Sequence, residues 1–259
     1  MCLITFAYRS HPVYSLILLA NRDEFYQRPT QAMMFWQDQP DILAGRDLEQ
    51  GGTWLGLNRN GQFATVTNFR DGRQPPSGLK SRGNLTARFL SNKLTADAYL
   101  QELMPDQANF NAFNLLLGDE QGLYYCSNQG ATPQSLCPGV YGLSNALLDS
   151  PWPKLLQVRE GLQTLIDSKW INTDSLLALM HNPEQAADNL LPDTGISYNW
   201  EKRLSACFIR SPDYGTRATT LILQKYGGET YICEQSFDAQ GTGEKAEYQL
   251  MLPAIGSTA

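Results

Sequence analysis

Blocks of strand-like sequence alternate with blocks of helix-like sequence along this chain, and that order excludes most folds before any single residue is considered. Residues 2–8 and 13–20 are rich in β-branched and aromatic side chains and are joined by the short link Arg9-Ser10-His11-Pro12, which predicts a buried hairpin. A second hairpin is expected from residues 53–57 and 62–67, across Asn58-Arg59-Asn60-Gly61, where the Asn-Gly pair supplies the positive φ angles of a tight turn. Gly51-Gly52 ahead of it marks a close backbone approach. Helical spacing follows over residues 81–92 and 95–104, with Leu85, Phe89 and Leu90 on one face and Thr95 placed as an N-cap. Strand signals return at residues 113–117, 122–126 and 140–144. Helices are then expected from Asp149-Ser150-Pro151 to about Ser168 and over 173–181. The last strands are expected at 207–210, 217–224, 230–237 and 245–250, with Tyr226-Gly227-Gly228-Glu229 as a turn. Strands in groups and helices in groups argue against a parallel βαβ sheet. They predict an α+β chain of antiparallel sheets covered by helices, and a four-layer αββα sandwich fits this order.

The 259 residues contain no Pro/Gly/Ser-rich linker and no internal repeat, so residues 1–259 are read as a single domain. A formal charge of −6 with scattered Lys and Arg leaves no basic patch, which argues against nucleic acid as a partner. Cysteines 2, 126, 137, 207 and 233 form no CxxC pair, and with only His11 and His181 beside them a metal site is not expected. Thiols in this arrangement read as reduced, in a cytoplasmic protein. The apolar run at 13–20 ends at Asn21-Arg22-Asp23-Glu24, too short for a transmembrane segment and without a signal-peptide cleavage pattern.

The chemistry-bearing residues sit at the ends of expected strands, where a rigid scaffold presents functional groups. Cys2 follows an initiator methionine of the kind normally trimmed, and a terminal cysteine carries both a nucleophilic thiol and an α-amine able to take its proton. Arg22 is suited to lowering the thiol pKa, Asp23 to holding the amine, and asparagine side chains at Asn68 and Asn145 to donating to an oxyanion. Gly215-Thr216-Arg217 opens a late strand in the same manner.

Six ordered motifs carry a family resemblance: Met-Cys followed by Asn21-Arg22-Asp23-Glu24, Gly-Gly-Thr-Trp-Leu-Gly at 51–56, Thr67-Asn68-Phe69-Arg70, Tyr141-Gly142-Leu143-Ser144-Asn145, Trp152-Pro153-Lys154, and Gly215-Thr216-Arg217-Ala218-Thr219-Thr220. Together they resemble the NRDE family of transport-and-Golgi-organisation proteins, whose layout in turn resembles the N-terminal-nucleophile (Ntn) hydrolases with an N-terminal cysteine. That resemblance implies Cys2 as nucleophile, Arg22 as its activator, Asp23 as partner of the amine, Asn68 and Asn145 at the oxyanion and substrate site, and Arg217 as a brace of the pocket. Such an enzyme would cleave a linear amide, or transfer its acyl group, through a thioester on Cys2, and needs no cofactor. The family also implies a second role, the handling of a small-molecule ligand: haem trafficking, with haem as cargo, or acyl-coenzyme A metabolism. Haem would draw its axial ligand from His11, His181, Cys2, a methionine, a tyrosine or Cys137-Pro138. Acyl-coenzyme A would draw phosphate contacts from Arg22, Arg46, Arg70 and Arg217. A third possibility is a non-catalytic interaction scaffold, whose sign would be a large exposed apolar patch.

Overall fold

The computed structural model describes residues 2–73, 80–169 and 171–258. The chain opens with β1 (Cys2–Tyr8), β2 (Tyr14–Phe25), β3 (Thr30–Phe35), β4 (Ile42–Asp47), β5 (Leu55–Asn58) and β6 (Phe63–Asn68). Helices α1 (Gly83–Leu90) and α2 (Ala96–Leu103) follow, then β7 (Phe113–Asp119), β8 (Gly122–Ser127), β9 (Ala131–Ser135) and β10 (Gly139–Leu143). Helices α3 (Pro153–Asp167), α4 (Thr173–Met180) and α5 (Tyr198–Arg203) lead to β11 (Tyr214–Lys225), β12 (Glu229–Asp238) and β13 (Gly241–Met251).

The strands form two antiparallel sheets, one ordered β10-β1-β2-β11-β12-β13 and the other running β3 to β9 in sequence. Alternation along β1 and β2 sets the layers. Ile4, Phe6, Tyr8, Leu16 and Leu18 point between the sheets and meet Leu43, Leu57, Phe63 and Leu116. Leu3, Ala7, Ile17 and Leu19 point the other way, against Leu155, Val158 and Leu162 of α3 and Leu176 and Met180 of α4. Helices α1 and α2 cover the second sheet through Leu85, Phe89, Tyr99 and Leu100. The expected αββα sandwich is therefore the observed one.

Several expectations differ from the structure. Strand β2 does not stop at residue 20 but runs on to Phe25, so Asn21-Arg22-Asp23-Glu24 lies inside a strand, because β1 and β11 pair with it on both sides to that point. Strands β3, β4 and β9 and helix α5 lack clear periodicity and were not anticipated. Residues 207–210 carry strand-like side chains but form only an isolated bridge, Arg210 to Gly215, since β11 already has both edges occupied. The Thr95 cap is as expected, its side chain accepting the Ala98 N–H at 3.3 Å. Gly52 is the close approach foreseen: a Cβ there would lie 2.4 Å from the Gly83 backbone. The fate of Met1 lies outside the described residues.

Candidate active site

At one open end of the sandwich a cleft of about 320 Å³ is bordered by Cys2, Arg22, Asp23, Glu24, Trp54 and Asn68, with Arg28, Lys80 and Arg82 among the groups around it. Cys2 and Arg22 are direct partners in the β1–β2 register, so their side chains share the face between the sheets. Arg22 is held there by stacking on the Trp54 indole, with Cζ 4.2 Å from the ring centroid, and by donating from Nη1 to Thr30 Oγ1 at 3.2 Å. Trp54 reaches this position over Gly45, where a Cβ would come within 2.2 Å of the indole. Glu24 lies on the same face, its Oε1 accepting the Phe25 N–H.

Asn21 and Asp23 point to the opposite face, into the helix layer. Asn21 is fully buried; its Nδ2 donates to the carbonyls of Met180 and Cys207 at 2.8 and 2.9 Å, and its Oδ1 accepts from Thr219 Oγ1 at 2.7 Å. Asp23, also fully buried, accepts from Thr216 Oγ1 at 2.8 Å, and its main-chain oxygen accepts from Tyr214 Oη at 3.0 Å. Burial pushes the Asp23 carboxyl up, with the positive charge of Lys154 the largest of the influences opposing it. Burial likewise pushes the Cys2 thiol up, and Arg22 pulls against it.

Of the residues expected at the site, Cys2, Arg22, Glu24 and Asn68 come together around the cleft; Asp23 borders it too, but its carboxyl is turned to the helix side, onto Thr216. Asn68 ends β6 on the rim, and its side-chain amide makes no hydrogen bond to the described residues, which leaves its N–H groups for a ligand. Asn145 does not border the cleft. It is fully buried, and its Nδ2 donates to the Asn68 carbonyl at 2.8 Å, so it positions Asn68 and does not face the thiol. Arg217 is the extra residue of a β-bulge between Thr216 and Ala218, which turns its side chain out of the ladder. Its Nη1 donates to the carbonyls of Phe25, Tyr26 and Arg28, bracing the β2–β3 connection beside the cleft.

The four arginines expected to serve a phosphate ligand do not converge. Arg46 is held by Asp38 and stacks on Trp36, Arg70 is buried against Glu201 at 2.9 Å, and Arg217 is engaged with carbonyls, which leaves Arg22. Sequence reasoning missed Arg82, which tertiary structure brings to the rim from the start of α1. Its Nη1 donates to the Ala112 carbonyl at 3.1 Å, and the Cys2 thiol lies within its electrostatic reach. Neither Arg22 nor Arg82 is ion-paired among the described residues, whereas Arg28 pairs with Asp47 and Lys80 with Asp106. Two unpaired guanidinium groups beside a thiol make an anion-attracting rim.

The candidates for a haem ligand are dispersed. His11 Nδ1 accepts the N–H groups of Val13 and Tyr14. His181 is packed edge-on against Phe208 and Phe237 with Nε2 by Thr219, and Cys137 is exposed in the β9–β10 connection. The cleft lining includes no described histidine or methionine. All five cysteines are free thiols, and no helix among the described residues is long and apolar enough to cross a membrane.

Two antiparallel sheets between helix layers, with a cysteine at the first strand's outer end, define a chain with the Ntn-hydrolase fold. A cysteine-to-alanine mutant of conjugated bile acid hydrolase from Clostridium perfringens superposes with a TM-score of 0.50 over 97% of this chain and 98% of that one, at 11% identity, a likeness of fold alone. At the level of sequence, the chain belongs to the Transport and Golgi organisation 2 family, which it matches over residues 1–239. It is 36% identical over 257 residues to the Transport and Golgi organization protein 2 homolog of Bos taurus, covering 91% of this chain and 93% of the relative. The Homo sapiens homolog is 37% identical over 259 residues with the same coverage.

Proposed function

We propose that this protein is a cysteine-dependent acyl-transfer enzyme that cleaves a linear amide or thioester whose substrate carries an anionic group. The observation that carries this reading is the register of β1 with β2, which sets Cys2 beside Arg22 in a cleft that also presents the free amide of Asn68 and the guanidinium of Arg82. With Met1 removed, the α-amine of Cys2 takes the thiol proton, and the thiolate sulfur attacks the carbonyl carbon. The Asn68 N–H groups donate to the resulting oxyanion. Collapse breaks the bond to the leaving amine or thiol, which receives the proton from the α-ammonium, and a thioester on Cys2 remains. Water then adds to that thioester and releases the acid and the thiol. Arg22 stabilises the thiolate by charge.

Ligand handling without turnover is the second reading; the guanidinium groups of Arg22 and Arg82 support an anionic ligand there, and the absence of a described histidine or methionine from the cleft lining favours acyl-coenzyme A over haem. The first measurement is the intact mass of untagged protein, followed by a panel of anionic amides and thioesters. Turnover is expected from the Met1-free chain and its loss in Cys2→Ala; full activity in Cys2→Ala would overturn the nucleophile assignment. Asn68→Ala is expected to cost on the order of 10²-fold in turnover. Binding without turnover, detected as thermal protection by acyl-coenzyme A or a Soret shift with hemin, would favour the second reading.

A further inference from the structure

The space beside Cys2 does not end at Arg22. A second hollow of about 370 Å³ lies beyond it, and Arg22 and Trp54 form a wall common to both. Register explains why the two are in line. Cys2 of β1 pairs with Arg22 of β2, Arg22 with Ala218 of β11, and Ala218 with Ser236 of β12, so these four residues form one row on the inner face of their sheet. The register shift between Gln235 and Phe237 then sets Gly243 and Glu244 of β13 opposite Ser236. Above this row β3 forms a roof with Thr30, Gln31 and Ala32. Two bonds hold β3 to the sheet below: the Met33 N–H donates to Glu234 Oε1 at 2.7 Å, and Tyr248 Oη donates to the Met33 carbonyl at 3.1 Å.

The lining suits a polar chain. Around the second hollow the Ser236 hydroxyl, the Gln31 amide and the Glu244 carboxylate make no hydrogen bond to the described residues. Arg22 is 6% exposed and has no ion-pair partner among the described residues. Its one hydrogen bond goes to Thr30, on the wall of the second hollow, so its remaining donors are left for a chain that crosses from one hollow to the other. An alkyl tail would strip water from these groups and return no hydrogen bond, whereas a chain of amides returns both donors and acceptors. Sheet order puts four strand spacings between β1 and β13, roughly 19 Å. That is the length of about five residues of extended chain.

We infer that the Cys2 cleft and the hollow under β3 form one groove, and that its occupant is a peptide-like linear polyamide of about five residues. The inference rests on the reading of Cys2 as the reacting group and names the kind of linear amide it acts on.

The test is the alkylation of untagged protein by iodoacetamide, by iodoacetyl-Gly-Ser-Gly-Ser-amide and by N-octyl iodoacetamide. Mass spectrometry reads the labelling rate of Cys2 relative to Cys137, which is exposed and lies outside both hollows. The peptide tail is expected to raise that ratio about tenfold or more over iodoacetamide, because binding of the tail holds the reagent at the thiol, and the octyl tail is not. In Ser236→Trp the indole fills the hollow, so the gain should vanish while the ratio for iodoacetamide itself is kept. Should that variant not fold, Ala32→Trp fills the same space from the roof. Equal ratios for the three reagents, a larger gain from the octyl tail, or a gain that survives either folded variant overturns the inference. Failure of the Cys2 reading would leave this labelling pattern intact and appear instead as absence of turnover.

Discussion

Along β2 the four residues Asn21-Arg22-Asp23-Glu24 divide between two environments. Arg22 and Glu24 face the gap between the sheets at the end where it opens to solvent, while Asn21 and Asp23 face a dry layer closed by α3 and α4. On the dry side, the Asn21 amide is committed to two carbonyls and a hydroxyl, and the Arg70 and Glu201 charges are paired. On the open side, the Arg22 and Arg82 guanidinium groups and the Asn68 amide retain unengaged donors. One strand thus serves a packed layer with its odd residues and borders the cleft with its even ones, because successive side chains point to opposite faces.

The difference makes quantitative expectations, the largest on the dry side. Arg70→Ala leaves Glu201 charged and buried, and a destabilisation of about 3–5 kcal/mol is expected in chemical denaturation. A loss below about 1 kcal/mol would mean that this region is not dry. Asn21→Ala strips partners from the carbonyls of Met180 and Cys207 and from Thr219, and about 2 kcal/mol or more should be lost by the same measurement.

Glu234 tests the boundary between the two environments. It is buried between the sheets, accepting from the Met33 N–H at 2.7 Å and from Thr220 Oγ1 at 3.0 Å, and burial raises its carboxyl above the ordinary range. The folded chain therefore binds that proton more tightly than the unfolded chain does. The stability contributed by this group is greatest at acidic pH and declines as pH rises from the ordinary carboxylate range towards the raised value, with a slope of at most about 1.4 kcal/mol per pH unit. Glu234→Gln should remove that decline; an unchanged profile of stability against pH would count against it.

The smallest stability effect is expected on the open side. Arg22→Met removes a charge that has no ion-pair partner among the described residues but stacks on Trp54, so stability should fall by no more than about 2 kcal/mol. Alkylation of Cys2 by iodoacetamide at neutral pH should nevertheless slow, because Arg22 is a cation that favours the thiolate. A large loss of stability with unchanged alkylation would reverse the roles assigned to the two faces.

Much of the fold was legible because its signals are local. The β5–β6 turn is written in Asn60-Gly61, the start of α2 in Thr95, and the α3 and α4 stripes in leucine spacing. Strands β3, β4 and β9 were not legible, since they are half-exposed or short and owe their conformation to neighbours in the ladder.

The site divides in the same manner. That Cys2, Arg22, Asp23 and Asn68 are candidates for a site follows from their types and from their places near strand ends. Which of them meet is a matter of register and pleat, and these are set by pairing between strands far apart in the chain. Arg82 came from the start of a helix with no local sign of a site. Asn145, alike in kind to Asn68, is directed inward, donating to the Asn68 carbonyl and accepting from the Ser144 hydroxyl. Sequence by itself determined the layer order and the core stripes and offered a set of candidate residues, because propensity and periodicity act over a few residues. Tertiary structure alone decided which side chains share water and which share a counter-ion, because burial and electrostatic distance are properties of the packed chain.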